Sequence, residues 1–292
     1  MTDRGRGSLM IMAASVCWAT EGLLIRLVHS DDWQTLFWTS LAMSVSIGGW
    51  LAVTHGRNMI GAVRATGWPG AIASTALALA YACFIFSLNR TAVANTVVLL
   101  ATIPLIAAIL ARVVLGERIS RRTLIACIGA FAGVALMVSD SLGGGRLSGD
   151  LFALATAVFY SINVVALRAA PKINDSYVDM VPTTVVGGLA VGLVAAGLSN
   201  PVSVAMPDMA LLLIIGAGSM GFGTWLFTRG VRYVQAAEAG LLCLLEAIVA
   251  PFLVWIFLDE MPSPMTFYGG AIVLAALVYD TLPQRSAPGI AD

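Results

Sequence analysis

The sequence predicts an all-α membrane protein: ten transmembrane helices arranged as two inverted-topology five-helix repeats. Three observations predict it. The chain of 292 residues is 59% hydrophobic and only 11% charged, whereas soluble domains carry about 25% charged residues. Ten apolar segments approach the roughly 20 residues that a bilayer core of about 30 Å demands of a helix. And the chain echoes itself: Thr91–Ser120 lies over Val234–Ser263 without a gap, at an offset of 143 residues.

The ten segments are Ser8–Val28, Trp33–Val53, Trp68–Leu88, Ala94–Leu115, Thr123–Ser139, Gly149–Ala170, Val178–Leu198, Met209–Arg229, Ala236–Leu258 and Thr266–Thr281. The loops between them are short and leave no room for a soluble domain. The first segment follows Arg4 and Arg6, as a signal peptide's apolar core would. No clean cleavage site follows, Glu21 and Arg26 come next, and the run matches a later helix, so it reads as an uncleaved first span. Pro104, Pro251 and the glycines at 216, 218, 221 and 223 fall inside spans. Neighbouring helices can re-satisfy the backbone groups they free.

The repeat assigns 1–139 to a first five-helix unit, 140–148 to a periplasmic connecting loop, 149–281 to a second unit and 282–292 to a cytoplasmic tail. Ala94/Ala237, Leu99/Leu242, Ala107/Ala250, Leu110/Leu253, Leu115/Leu258, Glu117/Glu260 and Ser120/Ser263 coincide. Gly7/Gly149, Leu9/Leu151, Ala13/Ala155, Val16/Val158 and Arg26/Arg168 coincide at an offset of 142. The third and eighth spans match weakly, through Phe84/Phe227. Five spans per unit is an odd number, so the second unit enters the membrane upside down. Such pairs build carriers with a site near the midplane at the repeat interface. Twelve Lys/Arg residues fall on the side of the N-terminus and three on the other. The positive-inside rule then makes both termini cytoplasmic, in a bacterial-type inner membrane.

Several classes of chemistry find no support. Cys17, Cys83, Cys127 and Cys243 stand alone in separate apolar runs, and His29 and His55 lie in loops. No metal-ligand spacing results. Gly143-Gly144-Gly145-Arg146 lacks the Lys-Ser/Thr of a phosphate loop, so no ATP site and no cofactor is expected. Sparse charge argues against nucleic acid. No Ser/His/Asp or HExxH set suggests an enzyme. The expected partners are a small-molecule substrate and the lipid bilayer, with a monomer assumed.

Two motifs carry a family resemblance. Leu115-Gly116-Glu117 with Ser120 recurs in altered form as Leu258-Asp259-Glu260 with Ser263, and Glu246-Ala247 with Pro251 stands where a Glu-Pro pair is expected. With the ten spans, they make the chain resemble the EamA-type carriers of the drug/metabolite transporter superfamily. Within it, the YddG-type aromatic amino acid exporters are the preferred comparison, on general resemblance alone. The resemblance implies ten helices in two inverted halves, both ends cytoplasmic, and a cavity walled by helices one, three, four, six, eight and nine.

Glu246 is the leading site candidate. A charge near mid-span costs about 2.5–3.5 kcal/mol on insertion scales. Either it faces the cavity, to bind a substrate ammonium or exchange a proton, or it ties helix nine to a neighbour. Trp18 and Glu21 share one helix face at i, i+3, and their repeat mates are Tyr160 and Asn163. Most membrane tryptophans sit at the interface, and Trp33, Trp38, Trp50, Trp68 and Trp255 fit that belt. Trp18, Tyr160 and Tyr81 lie deeper, and Trp225 nearer the inner end; they wall a cavity or pack between helices. Glu117, Asp259 and Glu260 close helices, where a carboxylate opposes the macrodipole and needs a partner; Arg118, Arg121 and Arg122 are candidates. Glu238 opens helix nine and suits its dipole. Arg112 is near enough to a helix end to snorkel. Gly129-x-x-x-Gly133 and Gly188-x-x-x-Gly192 suit close helix contact within the chain or a dimer seam.

The substrate-binding set expected is thus Trp18, Glu21, Tyr81, Tyr160, Asn163, Trp225 and Glu246. The expected function is secondary transport of small zwitterionic metabolites, amino acids including aromatic ones, mainly outward and by alternating access. One half would rock against the other. The alternatives are a proton-coupled exporter of cationic drugs or other metabolites, and a non-transporting scaffold or intramembrane enzyme.

Overall fold

The computed structural model describes residues 3–116, 119–169, 172–173, 176–200, 203–230, 233 and 236–281. All ten expected spans are helical. The first three are α1 (Asp3–Arg26), α2 (Asp32–His55) and, after the short α3 (Met59–Ala65), α4 (Gly67–Leu88). The fourth is split into α5 (Val93–Leu100) and α6 (Ile103–Val114), and the fifth is α7 (Arg121–Gly144). The second half holds α8 (Leu147–Arg168), α9 (Pro182–Leu198), a bent eighth span, α12 (Ala236–Leu258) and α13 (Pro264–Thr281). The eighth span runs from α10 (Met206–Leu213) through a π-helical segment (Ile214–Phe222) into α11 (Gly223–Gly230). Between the sixth and seventh spans, Lys172–Ile173 pairs antiparallel with Ser176–Tyr177. The helices also run on into the stretch expected to be a loop at 140–148, leaving a turn around Gly145 and Arg146.

Local sequence explains the boundaries. Asp31 Oδ1 accepts from the Trp33 and Gln34 amides at 2.8 and 2.9 Å, while Gln34 Oε1 accepts from the Asp31 amide, a capping box that opens α2. Ser120 Oγ caps α7 through the Thr123 amide, and Ser263 Oγ caps α13 through the Thr266 amide, at 3.0 and 3.1 Å. The shared serine of the two motif copies is therefore the N-cap of the last span in each half. The residue before the motif glutamate has its reason too. Gly116 (φ +70°) and Asp259 (φ +53°) both take the left-handed conformation that ends a helix. Glycine does so freely, and aspartate is among the few other residues that tolerate it.

The spans pack as a closed ring in the order one, eight, two, seven, three, six, four, nine and back to one. Spans five and ten pair with each other through α7 and α13 and flank spans four and nine. Exchanging the halves maps this ring onto itself, which is the pseudo-symmetry that two inverted copies require. Small residues make the approaches close. A Cβ on Gly133 would lie 2.6 Å from the Gly269 carbonyl oxygen, and one on Gly188 would lie 2.3 Å from Ser44 Oγ. The two glycine motifs thus face α13 and α2 of the same chain. Outside, the surface is apolar: Val53 is 86% exposed and Leu193 75%, as expected where lipid is the neighbour.

The halves interlock. Ring neighbours come alternately from one half and the other, so the expected rocking of one sequence half against the other is not compatible with this packing.

Candidate functional site

Four of the seven expected residues converge inside the ring. Glu21 on α1 and Glu246 on α12 are electrostatic neighbours. Tyr81 on α4 neighbours Glu21 and Tyr160, and Tyr160 on α8 neighbours Glu246, Cys243 and Glu21. Spans one and three are not consecutive in the ring, yet α1 and α4 touch across its interior, and Glu21 and Tyr81 are brought together there, in the interior cluster termed the chamber. Glu21 is 7% exposed. Among the described residues its buried Oε1 has no hydrogen-bond partner, and no arginine or lysine enters the charge environment of either carboxylate.

Neighbouring groups steady this chamber. The Tyr81 hydroxyl donates to Met43 Sδ at 2.9 Å. Thr20 Oγ1, next to Glu21, is 2.8 Å from Ser219 Oγ in the π-helical segment. The Ser15 hydroxyl donates to the Leu242 carbonyl at 3.3 Å, tying α1 to α12 one turn before Glu246.

The other three expected residues do different work. Trp18 lies one turn from Glu21, with its ring 5.3 Å from that of Phe227 and its indole nitrogen hard against Gly223. It borders the chamber while packing α1 on α11. Asn163 is buried and donates its side-chain amide to the Ala73 carbonyl at 2.9 Å, so that amide holds α8 to α4. Trp225 stacks on Phe222, with ring centroids 5.5 Å apart, under the Arg229 guanidinium. It lines a separate cavity of about 290 Å³ between spans two, seven and eight, with Trp50, Val181 and Thr228.

The repeat explains a departure at the motif in the ninth span. At the offset of 143, Glu246-Ala247 falls on Ile103-Pro104. The fourth span keeps the proline and breaks just before it, at Ala101–Thr102. The ninth keeps the glutamate and runs unbroken through Pro251. Hydroxyls bond carbonyls around the break: Ser161 Oγ donates to Ile103 O at 3.1 Å, and Thr102 Oγ1 to Leu99 O at 2.6 Å, a carbonyl that also accepts the Thr102 amide. That use of side chains is what lets a broken helix persist in a membrane.

One polar centre was not anticipated as such. On the face opposite the termini, Asp150 is fully buried and accepts from Thr91 Oγ1 at 2.6 Å and from the Asn95 amide at 3.1 Å. Thr266 Oγ1 donates to Asn95 Oδ1. Glu260 finds its cation in Arg26, not in Arg118, Arg121 or Arg122 (Nε···Oε2 3.2 Å). A carboxylate at the start of an apolar run was the available signal for Asp150. The expected roles of Glu117, Arg118 and the Glu238 side chain lie outside the described residues.

The EamA-like transporter family matches the chain twice, over residues 5–139 and 147–279. The chain is similar to the uncharacterized transporter YwfM of Bacillus subtilis (strain 168), at 27% identity over 290 residues, covering 95% of each chain. It is also similar to solute carrier family 35 member G1 of Homo sapiens, at 25% identity over 222 residues, covering 72% of this chain and 60% of the human one. A solved crystal structure shares the fold at 16% identity with a TM-score of 0.68, covering 97% of this chain and all of its own.

Proposed function

The chain belongs to the EamA-like transporter family, and from that premise we propose that it is a secondary carrier of small organic ammonium compounds. The carrying observation is the pairing of Glu21 and Glu246 inside the ring, with no protein cation beside them among the described residues. A carboxylate charge withdrawn from water is costly unless paired, and two carboxylates in one hollow repel. A cationic solute relieves both costs on the loaded leg of the cycle, and protons relieve them on the empty one. Tyr81, Tyr160 and Trp18 supply faces on which an apolar or flat body of the solute packs. The carrier works by alternating access, with its termini on the cytoplasmic side of a bacterial-type inner membrane, and net flux is outward.

A second reading is transport of zwitterionic amino acids, with the ammonium on the carboxylates. It is supported by Tyr160, an electrostatic neighbour of both carboxylates, whose hydroxyl could donate to a substrate carboxylate. The absence of a fixed positive charge beside the carboxylates among the described residues ranks it below the first.

The test is counterflow by purified protein in liposomes, using labelled amino acids and cationic dyes, with and without a pH gradient. Acid on the loading side should slow uptake of a cation, because protons compete for the same oxygens. Counterflow of neutral amino acids alone, indifferent to pH, would overturn the first reading in favour of the second. Absence of flux for the whole panel would count against both.

A further inference from the structure

We propose that the Arg26–Glu260 pair is a latch that closes the chamber on the membrane face opposite the termini. Spans four, nine and one are consecutive in the ring, and this one pair binds all three. Arg26 ends α1, and Glu260 follows α12. Glu260 Oε1 accepts from Arg26 Nη2 at 3.2 Å and also from the Val93 amide at 2.9 Å, which opens α5. Arg26 Nη2 further donates to the Thr91 carbonyl at 2.6 Å. Glu260 at the N-terminus of α5 and Arg26 at the C-terminus of α1 each favour the local dipole, which offsets the unfavourable place of Glu260 after the C-terminus of α12.

Its position is that of a lid. Arg26 lies five residues beyond Glu21, about 7.5 Å of helix rise. Between them, Gly22 meets Val93 so closely that a Cβ would fall 2.4 Å from Val93 Cγ1, which seals α1 on α5 below the pair. Beside it, Thr91 and Asn95 carry the buried bonds to Asp150 and Thr266, from spans six and ten. The left-handed turn at Asp259 is what swings Glu260 back over the helix end. The pair itself is only three-quarters buried, so water reaches it and can take over its bonds when the face opens. The family's recurrent motif thereby acquires a mechanical meaning in its second copy: the left-handed residue ends the helix and the next residue latches. In sequence, Arg26 and Glu260 correspond to Arg168 and Glu117; Glu117 lies outside the described residues.

The experiment measures access, so its outcome is independent of what the protein carries. Cys17, beside Glu21, is kept as reporter in C83A/C127A/C243A protein, reconstituted in liposomes. A membrane-impermeant methanethiosulfonate is added from the face opposite the termini. R26Q and E260Q should each raise the labelling rate about tenfold, the effect of some 1.4 kcal/mol on the opening equilibrium. The swapped pair R26E/E260R should return it to within about threefold of the parent, and so should R26K, which keeps the charge and is the variant best placed to fold. Unchanged rates in R26Q and E260Q would overturn the latch. So would raised rates that neither the swap nor R26K lowers, since these would report loosened packing.

Discussion

Replacing Glu21 with methionine should make the protein more stable and destroy its transport. Glu21 is 7% exposed, and its Oε1 has no hydrogen-bond partner among the described residues. A buried polar atom left unsatisfied costs about 1–3 kcal/mol. Methionine is close to glutamate in volume, and a volume-conserving exchange costs less than about 1.5 kcal/mol in a packed site. The sum therefore runs from near zero to a gain of about 3 kcal/mol. Each kcal/mol moves Tm by about 2–4 °C for domains of 150–250 residues, so a gain of roughly 2–6 °C is expected in the middle of the range. Tryptophan fluorescence on heating, in detergent, reads the stability, and counterflow in liposomes reads the transport. The opposite stability result, a fall in Tm of several degrees, would mean that Glu21 is stitched into the fold. Its place as a site residue that costs stability would then be wrong. Intact counterflow in a stable E21M protein would remove Glu21 from the transport path.

Three further outcomes are expected. Glu246→Gln keeps shape and polarity but not charge, so counterflow of a cationic dye should fall at least about tenfold, worth some 1.4 kcal/mol, with Tm nearly unchanged; flux equal to the parent's would remove Glu246 from the site. Gly133→Val should cost about 1–3 kcal/mol through overpacking, because its Cβ would meet the Gly269 carbonyl at 2.6 Å, whereas Gly129→Ala meets only Ala276 Cβ at 3.5 Å and should be tolerated; equal melting shifts in the two variants would refute the assigned seam. Gly116→Ala forces a side chain into φ +70° and should cost about 1–2 kcal/mol, while Asp259→Gly at φ +53° should cost nothing; thermal unfolding of both variants checks this.

The spans were legible because an apolar run of bilayer length has few other uses, and Glu21 and Glu246 were legible because charge stands out against such a run. Helix rotation was not. A helix between lipid and protein is apolar on both sides, so periodicity does not say which face is inward. That is why Asn163, a correct depth match to Glu21, turns its amide to a carbonyl on α4, and why Trp225 lines another cavity. Pairings distant in sequence leave no local trace either. Arg26 and Glu260 are 234 residues apart, and sequence proximity pointed instead to the arginines beside Glu117. The break at Ala101–Thr102 was half legible: Pro104 was noticed, but whether a proline bends or breaks a helix depends on hydroxyls from other spans, here Ser161.

The interlocked ring also limits how the chamber can change sides. Separating the sequence halves would part every neighbour contact of the ring at once, since each joins one half to the other. Bending inside a span parts none of them. The π-helical segment lies where the eighth span changes support: α10 rests mainly on α2, the segment on both α2 and α1, and α11 on α1. Gly216 meets the Thr39 carbonyl near one end of the segment and Gly223 meets Trp18 just past the other, so α11 is coupled to α1 more closely than α10 is. The fourth span is also interrupted, with α5 against both α12 and α8 and α6 against α8. A π-helical turn carries its hydrogen bonds in a looser register than an α-helix and can take up a shift of α11 with α1 without breaking the glycine seams around α2. The proposed carrier motion is therefore assigned to these two interrupted spans, with the far-face ties through Arg26, Thr91 and Glu260 as its latch.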